Sequence, residues 1–150
     1  MTLLDHYHSQ IGETRTSDWL VVDQARVDAF ADVTLDHQFI HVDPERAKAE
    51  TPFGGPIAHG FLTLSMLSHF AAQTLPAFPD KAIGINYGFD KVRFLNPVLV
   101  GSRIRGVFTL ASVEERKPGQ LQMTNACVVE IEGSETPALA ADWLSLVVTG

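Results

Sequence analysis

The sequence predicts an α+β fold in which one long apolar helix is enclosed by a curved antiparallel β-sheet. Three observations predict it. From about His59 to Leu75 the residues are apolar nearly all round: Phe61, Leu62, Leu64, Met66, Leu67, Phe70, Ala71, Ala72 and Leu75. A helix apolar on every side is normally buried on every side, which in a small domain demands a sheet that wraps it. Downstream, four runs read as strands, with turn signals between them at Asn96-Pro97, Lys117-Pro118-Gly119 and Gly133-Ser134. Long strands joined by short turns favour antiparallel pairing.

Ahead of that helix the chain reads as short mixed elements. TSDWLVVD has a strand-like core, Trp19 to Val22. Asp23 can then cap a helix, QARVDAFADV, whose apolar face would hold Val27, Phe30, Ala31 and Val33. The stretch LDHQFIHVDP, Leu35 to Pro44, follows as a loop. Asp43 can cap, and Pro44 can open, a short helix PERAKAE. A loop rich in Gly and Pro leads into the apolar helix. The strands are KAIGINYGFDKVRFLNPV, SRIRGVFTLASVEER, QLQMTNACVVEIEG and ALAADWLSLVVTG. In the second of these Ile104, Gly106, Phe108 and Leu110 face one way; Arg103, Arg105, Val107 and Thr109 face the other.

The 150 residues are expected to form one domain, 1–150, large enough for a real core. An apolar fraction of 45% and a charged fraction of 19% are those of a soluble globular protein. A formal net charge of −7 argues against a nucleic-acid partner. With one cysteine, Cys127, no intrachain disulfide can form; its alternating apolar run makes it a buried structural residue. No signal peptide is visible and no window approaches 18 apolar residues, so no membrane span is expected and the cytoplasm is the default location.

Two motifs carry chemistry. The first gathers Asp36, His37, His41 and Asp43 beside Phe39 and Ile40. A metal site would want a third ligand near the histidine pair, and no other Cys/His cluster exists. An acid–base pair fits better: Asp36 and His41 can hold one water between carboxylate and imidazole. An ordinary polar loop, with Asp36 capping a turn, fits the same residues. The second motif is GGPIAHGFL, which places Gly60 at the start of the apolar helix. Unpaired N–H groups there carry positive partial charge and could polarise a carbonyl. Close packing of helix on sheet would also call for this glycine. His59 and His69 read individually as structural, and Ser65 and Ser68 as hydroxyls that bond the helix backbone.

FADVTLDHQFIH, followed about twenty residues later by PIAHGFLTLSMLS, resembles the MaoC-like dehydratases, which include the R-specific enoyl-CoA hydratases. INYGFDKVRFLNPVLVGSRIRG is similar to the same family, and most to its branch resembling nodulation protein N. The resemblance runs from about Arg26 to Arg105. It implies a hot-dog fold, in agreement with the helix and sheet read above. It implies that Asp36 and His41 are the catalytic pair of a motif Asp-x-Asn-Pro-(Ile/Leu)-His, with Gln38-Phe39 in place of Asn-Pro. It implies that the Gly60 N–H binds a thioester carbonyl and that Ser68 supports the catalytic loop. Gln38 and His59 join Gly60 and Ser68 as candidate substrate-binding residues.

The implied reaction is reversible syn addition of water to a trans-2-enoyl thioester, giving a (3R)-3-hydroxyacyl thioester. No metal and no resident cofactor are implied, because CoA or phosphopantetheine arrives on the substrate. The partner is an acyl-CoA or an acyl-carrier-protein thioester. Lys91 and Arg93 share one strand face, with Arg103 and Arg105 on another strand. Some of these could meet CoA phosphates; a solvated sheet face fits them equally. A hot-dog thioesterase and a non-catalytic thioester-binding subunit are the alternatives, and retention of both Asp36 and His41 counts against the second. A homodimer is expected, because a lone hot-dog layer leaves an edge strand and an open cleft.

Overall fold

The computed structural model describes residues 2–79 and 81–150. The chain opens with helix α1 (Leu3–His8), whose start is closed by reciprocal hydrogen bonds between Thr2 and Asp5. Two short strands follow, β1 (Thr14–Thr16) and β2 (Leu20–Val21). Only the second was anticipated, as the centre of the run from Trp19 to Val22. Helix α2 (Gln24–Thr34) is capped by Asp23, whose carboxylate accepts from the Arg26 N–H at 2.8 Å. Val27 and Ala31 are buried, but Val33 is exposed. Two residues past Ala31 the helix has turned through about 200°, which carries Val33 off the inner face.

The segment read as a loop contains a single helical turn, α3 (Phe39–Val42). Helix α4 (Pro44–Glu50) then starts as expected, on Pro44 with Asp43 as its cap. The long apolar helix is α5 (Gly60–Thr74). Four long strands complete the chain: β3 (Ala82–Phe94), β4 (Arg103–Lys117), β5 (Gln120–Ile131) and β6 (Leu139–Thr149). They form one antiparallel sheet in the order β1-β4-β5-β6-β3, with β2 also pairing β4. The β4–β5 hairpin is tight because Gly119 adopts φ +79°.

Helix and sheet share one core. Leu62, Leu67 and Phe70 of α5 cluster with Ile104, Phe108, Cys127, Val129 and Leu139. The expected alternation in β4 holds: Ile104, Gly106, Phe108 and Leu110 are buried. Gly106 is where helix and sheet touch, since a Cβ there would lie 2.8 Å from that of Phe70. Cys127 is buried as expected, and burial pushes its thiol up to about 12. This is the hot-dog arrangement.

One expectation needs correction. Helix α5 is not enclosed on every side within one chain. Phe61, Ser65, Ser68 and Ala72 form an exposed stripe, with Phe61 68% exposed. The sheet covers the other flank only. Its edge strand β3 leaves Ile83, Ile85, Tyr87, Phe89 and Phe94 exposed as well. Among the described residues no helix is long and apolar enough to cross a membrane.

Candidate active site

The polar residues of the quoted loop separate into different tasks. Asp43 caps α4, accepting from the Arg46 N–H at 3.1 Å. His37 pairs on the surface with Asp32, Nε2 to Oδ1 at 2.8 Å. Asp36 and His41 remain, and they do not remain alone. Asp36, His41 and His59 each bring a carboxylate oxygen or ring nitrogen within 4.8 Å of the others.

The backbone of Ile57 holds this cluster together. Residues 56–58 run beside residues 98–100: the Ala58 N–H donates to the Val98 carbonyl at 2.8 Å, and the Val100 N–H to that of Pro56 at 2.9 Å. So anchored, Ile57 donates its N–H to the Ile40 carbonyl at 2.9 Å. Its own carbonyl accepts from His41 Nδ1 at 2.6 Å. The Gln24 side chain adds a bond to the His41 carbonyl at 2.8 Å. His41 is therefore fixed at both ends, although it is only 6% exposed.

These bonds determine the tautomers. A carbonyl can only accept, so His41 carries its proton on Nδ1 and presents a lone pair at Nε2. His59 Nε2–H donates to the Asp36 main-chain carbonyl at 3.0 Å, which leaves its Nδ1 as a buried lone pair with no partner among the described residues. The His59 ring lies between Phe30, at 4.9 Å, and His41, stacked at 3.9 Å with 25° between the planes. Burial is the main cause that holds the His41 pKa below its ordinary 6.5; the neighbouring His59 adds to it, while the Ile57 bond and Asp36 oppose it. Asp36 itself is exposed, and its carboxylate accepts from the Gln38 N–H at 3.3 Å.

A cation is a poor fit to the three side chains as they stand. Each imidazole must hold an ion in its ring plane at about 2.0–2.1 Å. Two rings stacked nearly parallel do not converge on one such point. A water suits the spacing: two hydrogen bonds of about 2.8 Å each span the gap between Asp36 and His41.

Directly after His59, α5 begins. His59 is its N-cap residue and makes no side-chain cap, so the Gly60 N–H points out of the helix without an intrahelical partner. Gly60 is exposed, and a Cβ there would lie 3.0 Å from the Phe94 ring. Of the other residues singled out from the sequence, Gln38 is the N-cap of α3, where its carbonyl accepts from the His41 N–H at 3.0 Å. Ser68 lies elsewhere: it lines a cavity of about 530 Å³ between the C-terminal half of α5 and the sheet. Among the described residues it makes no hydrogen bond to the Asp36–His41 segment. Lys91 and Arg93 are exposed on β3 and form no ion pair with a described carboxylate; Arg103 and Arg105 pair with Glu132 and Glu130. Gln24 and the Ile57 backbone were not foreseen. Neither has a local sequence signal, because both act through contacts made across the fold.

Comparisons with known proteins show the family and the fold. Residues 7–131 match the family described as MaoC like domain. The chain is 52% identical over 134 residues to nodulation protein N of Rhizobium meliloti (strain 1021), covering 89% of this chain and 83% of that protein. It is 50% identical over 126 residues to 3-hydroxyacyl-thioester dehydratase Z of Mycobacterium tuberculosis (strain ATCC 25618 / H37Rv), covering 84% and 82%. Among solved structures it superposes on the (R)-hydratase from A. caviae involved in PHA biosynthesis with a TM-score of 0.72 at 27% identity, covering 90% and 94%.

Proposed function

The chain belongs to the MaoC-like dehydratase family, and from that premise we propose that it interconverts trans-2-enoyl and (3R)-3-hydroxyacyl thioesters by acid–base catalysis at Asp36 and His41. The observation that carries the reading is the meeting of three things: a carboxylate, a neutral imidazole with its lone pair free, and an uncapped helix start. In the hydration direction the Gly60 N–H takes the thioester oxygen and draws charge from the double bond, so that C3 becomes electrophilic. One water gives a hydrogen bond to the Asp36 carboxylate and another to His41 Nε2. Its oxygen attacks C3 while the pair takes one of its protons. The same pair returns a proton to C2 from the same side. One C–O and one C–H bond form, the π bond is lost, and the thioester stays intact. No resident cofactor is needed. The exposed stripe of α5 leads from Gly60 to the cavity at Ser68, which offers room for the acyl chain.

The test is crotonyl-CoA. It should lose its conjugated-enoyl absorbance without releasing free thiol, and chiral chromatography should show the 3R-hydroxy isomer. Thiol release in step with substrate loss would move the assignment to a thioesterase.

Two further expectations follow from this reading. The mechanism needs neutral His41, so the acid limb of kcat/KM is expected below the ordinary histidine value of 6.5. The sign for stability agrees. The unfolded chain takes up a proton near 6.5 while the buried ring resists it. The contribution is therefore present in full above 6.5 and is lost as the pH falls below that value toward the depressed folded pKa. A pH–rate profile centred above 6.5 on its acid side would remove His41 from that role. The second expectation is a homodimer. Strand β3 is thirteen residues long and, among the described residues, unpaired on one edge, with Ile83, Ile85, Tyr87 and Phe89 exposed, and such an edge pairs readily with a second copy. Light scattering at micromolar concentration should give the dimer mass, and a monomer mass would contradict it.

A further inference from the structure

The cavity beside α5 is mostly apolar, as an acyl pocket should be, with Ala71, Leu75, Ile85 and Trp143 among its walls. Tyr7, Gln10, Glu13 and Arg15 line it from the N-terminal segment, where Arg15 is bonded to Gln10 and Glu13, and four polar side chains line it from the helix and the sheet: Ser68 on α5, Asn86 on β3, Asn125 on β5 and Ser145 on β6. The sheet register groups three of them. Ser145 stands directly opposite both Met123 and Asn86, and Asn125 is the next position of β5 on the face of Met123. Asn125 and Ser145 are therefore diagonal neighbours on the helix-facing side of the sheet. Asn125 is only 3% exposed and occupies an inward slot between Met123 and Cys127.

Among the described residues none of these four side chains makes a hydrogen bond. The contrast within α5 is direct. Ser65 bonds back to the Phe61 carbonyl at 2.7 Å and Thr74 to that of Phe70 at 3.1 Å, whereas the Ser68 hydroxyl makes no such bond. A primary amide offers two donors and two acceptor sites; those of Asn125 open onto the cavity, and covering them with a group that cannot pair them would cost their desolvation. Water can serve them while the cavity is empty. A plain alkyl chain would expel that water and replace none of its bonds.

We propose that Ser68, Asn86, Asn125 and Ser145 form a subsite for a polar oxygen on the acyl chain. The substrate is then a trans-2-enoyl thioester with a hydroxyl or carbonyl group well beyond the reacting carbons. This rests on the hydratase reading for the placement of the thioester at Gly60. Along α5 the eight residues from Gly60 to Ser68 span about 12 Å at about 1.5 Å per residue. An extended chain of C–C bonds of about 1.5 Å advances roughly 1.3 Å per carbon, so the subsite meets roughly the ninth or tenth carbon.

The probes are decanoyl-CoA and 10-hydroxydecanoyl-CoA, saturated thioesters that cannot be hydrated, compared by titration calorimetry on the intact protein. The hydroxylated thioester is expected to bind at least about tenfold more tightly, as in sites built to bond a substrate hydroxyl. Asn125→Leu, of similar size, should bring the two affinities within about twofold, and Ser145→Ala should narrow the gap. If Asn125→Leu fails to show the parent circular dichroism spectrum, Ser145→Ala carries this arm. Equal affinities in the parent protein, or tighter binding of decanoyl-CoA, would overturn the subsite. Crotonyl-CoA turnover by the same preparation reports separately on the chemistry. Turnover with equal affinities removes the subsite alone; a clear preference for the hydroxylated probe without turnover removes the hydratase reading and keeps the subsite.

Discussion

Asp36→Asn and His41→Gln are each expected to lower kcat/KM by at least about a hundredfold, the lower end of what a positioned acid–base group contributes. Both proteins should remain folded. Asp36 is exposed, and asparagine keeps an oxygen that can accept from the Gln38 N–H, now at 3.3 Å from the carboxylate. What it loses is basicity toward the water. His41 is buried, so its replacement must still satisfy the Ile57 carbonyl that Nδ1–H now reaches at 2.6 Å. The side-chain amide of glutamine can donate there, and it supplies no proton-accepting nitrogen in exchange. Because the two groups act on one water, the double variant should be little worse than the worse single one; effects of groups that work as a unit do not add. Rates on crotonyl-CoA, with circular dichroism as the folding control, decide this. A single variant that keeps full activity makes the pair structural. Additive losses in the double variant would mean that Asp36 and His41 serve separate steps.

His59 is the residue whose surroundings the sequence did not announce. Read alone, it is one histidine near a helix start. In the fold it lies between Phe30 and His41 and bonds the Asp36 main chain. That position depends on residues 56–58 running beside 98–100, a pairing across some forty residues that no local pattern announces. The Ile57 carbonyl that orients His41 is hidden for the same reason. Features governed by local rules were legible. Asp23 and Asp43 cap their helices because a short carboxylate reaches the free N–H groups three residues on, and that needs only neighbours. The long strands were legible from their alternation. The turn α3 was not, since its four residues have too little periodicity to separate a helix from a loop. The enclosure of α5 was overdrawn, because composition reports that a surface is apolar without saying which molecule covers it. The cavity's polar subsite did leave a signal: in the inward series Leu121, Met123, Asn125, Cys127, Val129, one position is an amide. A polar residue in an apolar register marks either a paired group or a site.

Gly60→Pro is expected to reduce kcat by about a hundred- to a thousandfold, the cost of removing one donor from an oxyanion site. The substitution is unusually clean here. Gly60 is the first residue of α5, the helical position that tolerates proline best because its N–H has no intrahelical partner to lose. The residue before a proline is driven to extended backbone, and His59 already has φ −58° and ψ 136°. Helix and backbone are thus prepared for the ring, and what disappears is the one N–H assigned to the thioester oxygen. Side-chain crowding is the competing explanation, since any Cβ at this position approaches the Phe94 ring to 3.0 Å. Gly60→Ala separates the two. It introduces the same Cβ and keeps the N–H, and Phe94 is half exposed and free to swing outward. Alanine should therefore cost far less than proline, about tenfold by misplacing the oxygen. The difference between the two variants measures the hydrogen bond itself. Equal losses in folded Ala and Pro proteins would attribute the effect to crowding and take the Gly60 N–H out of the mechanism.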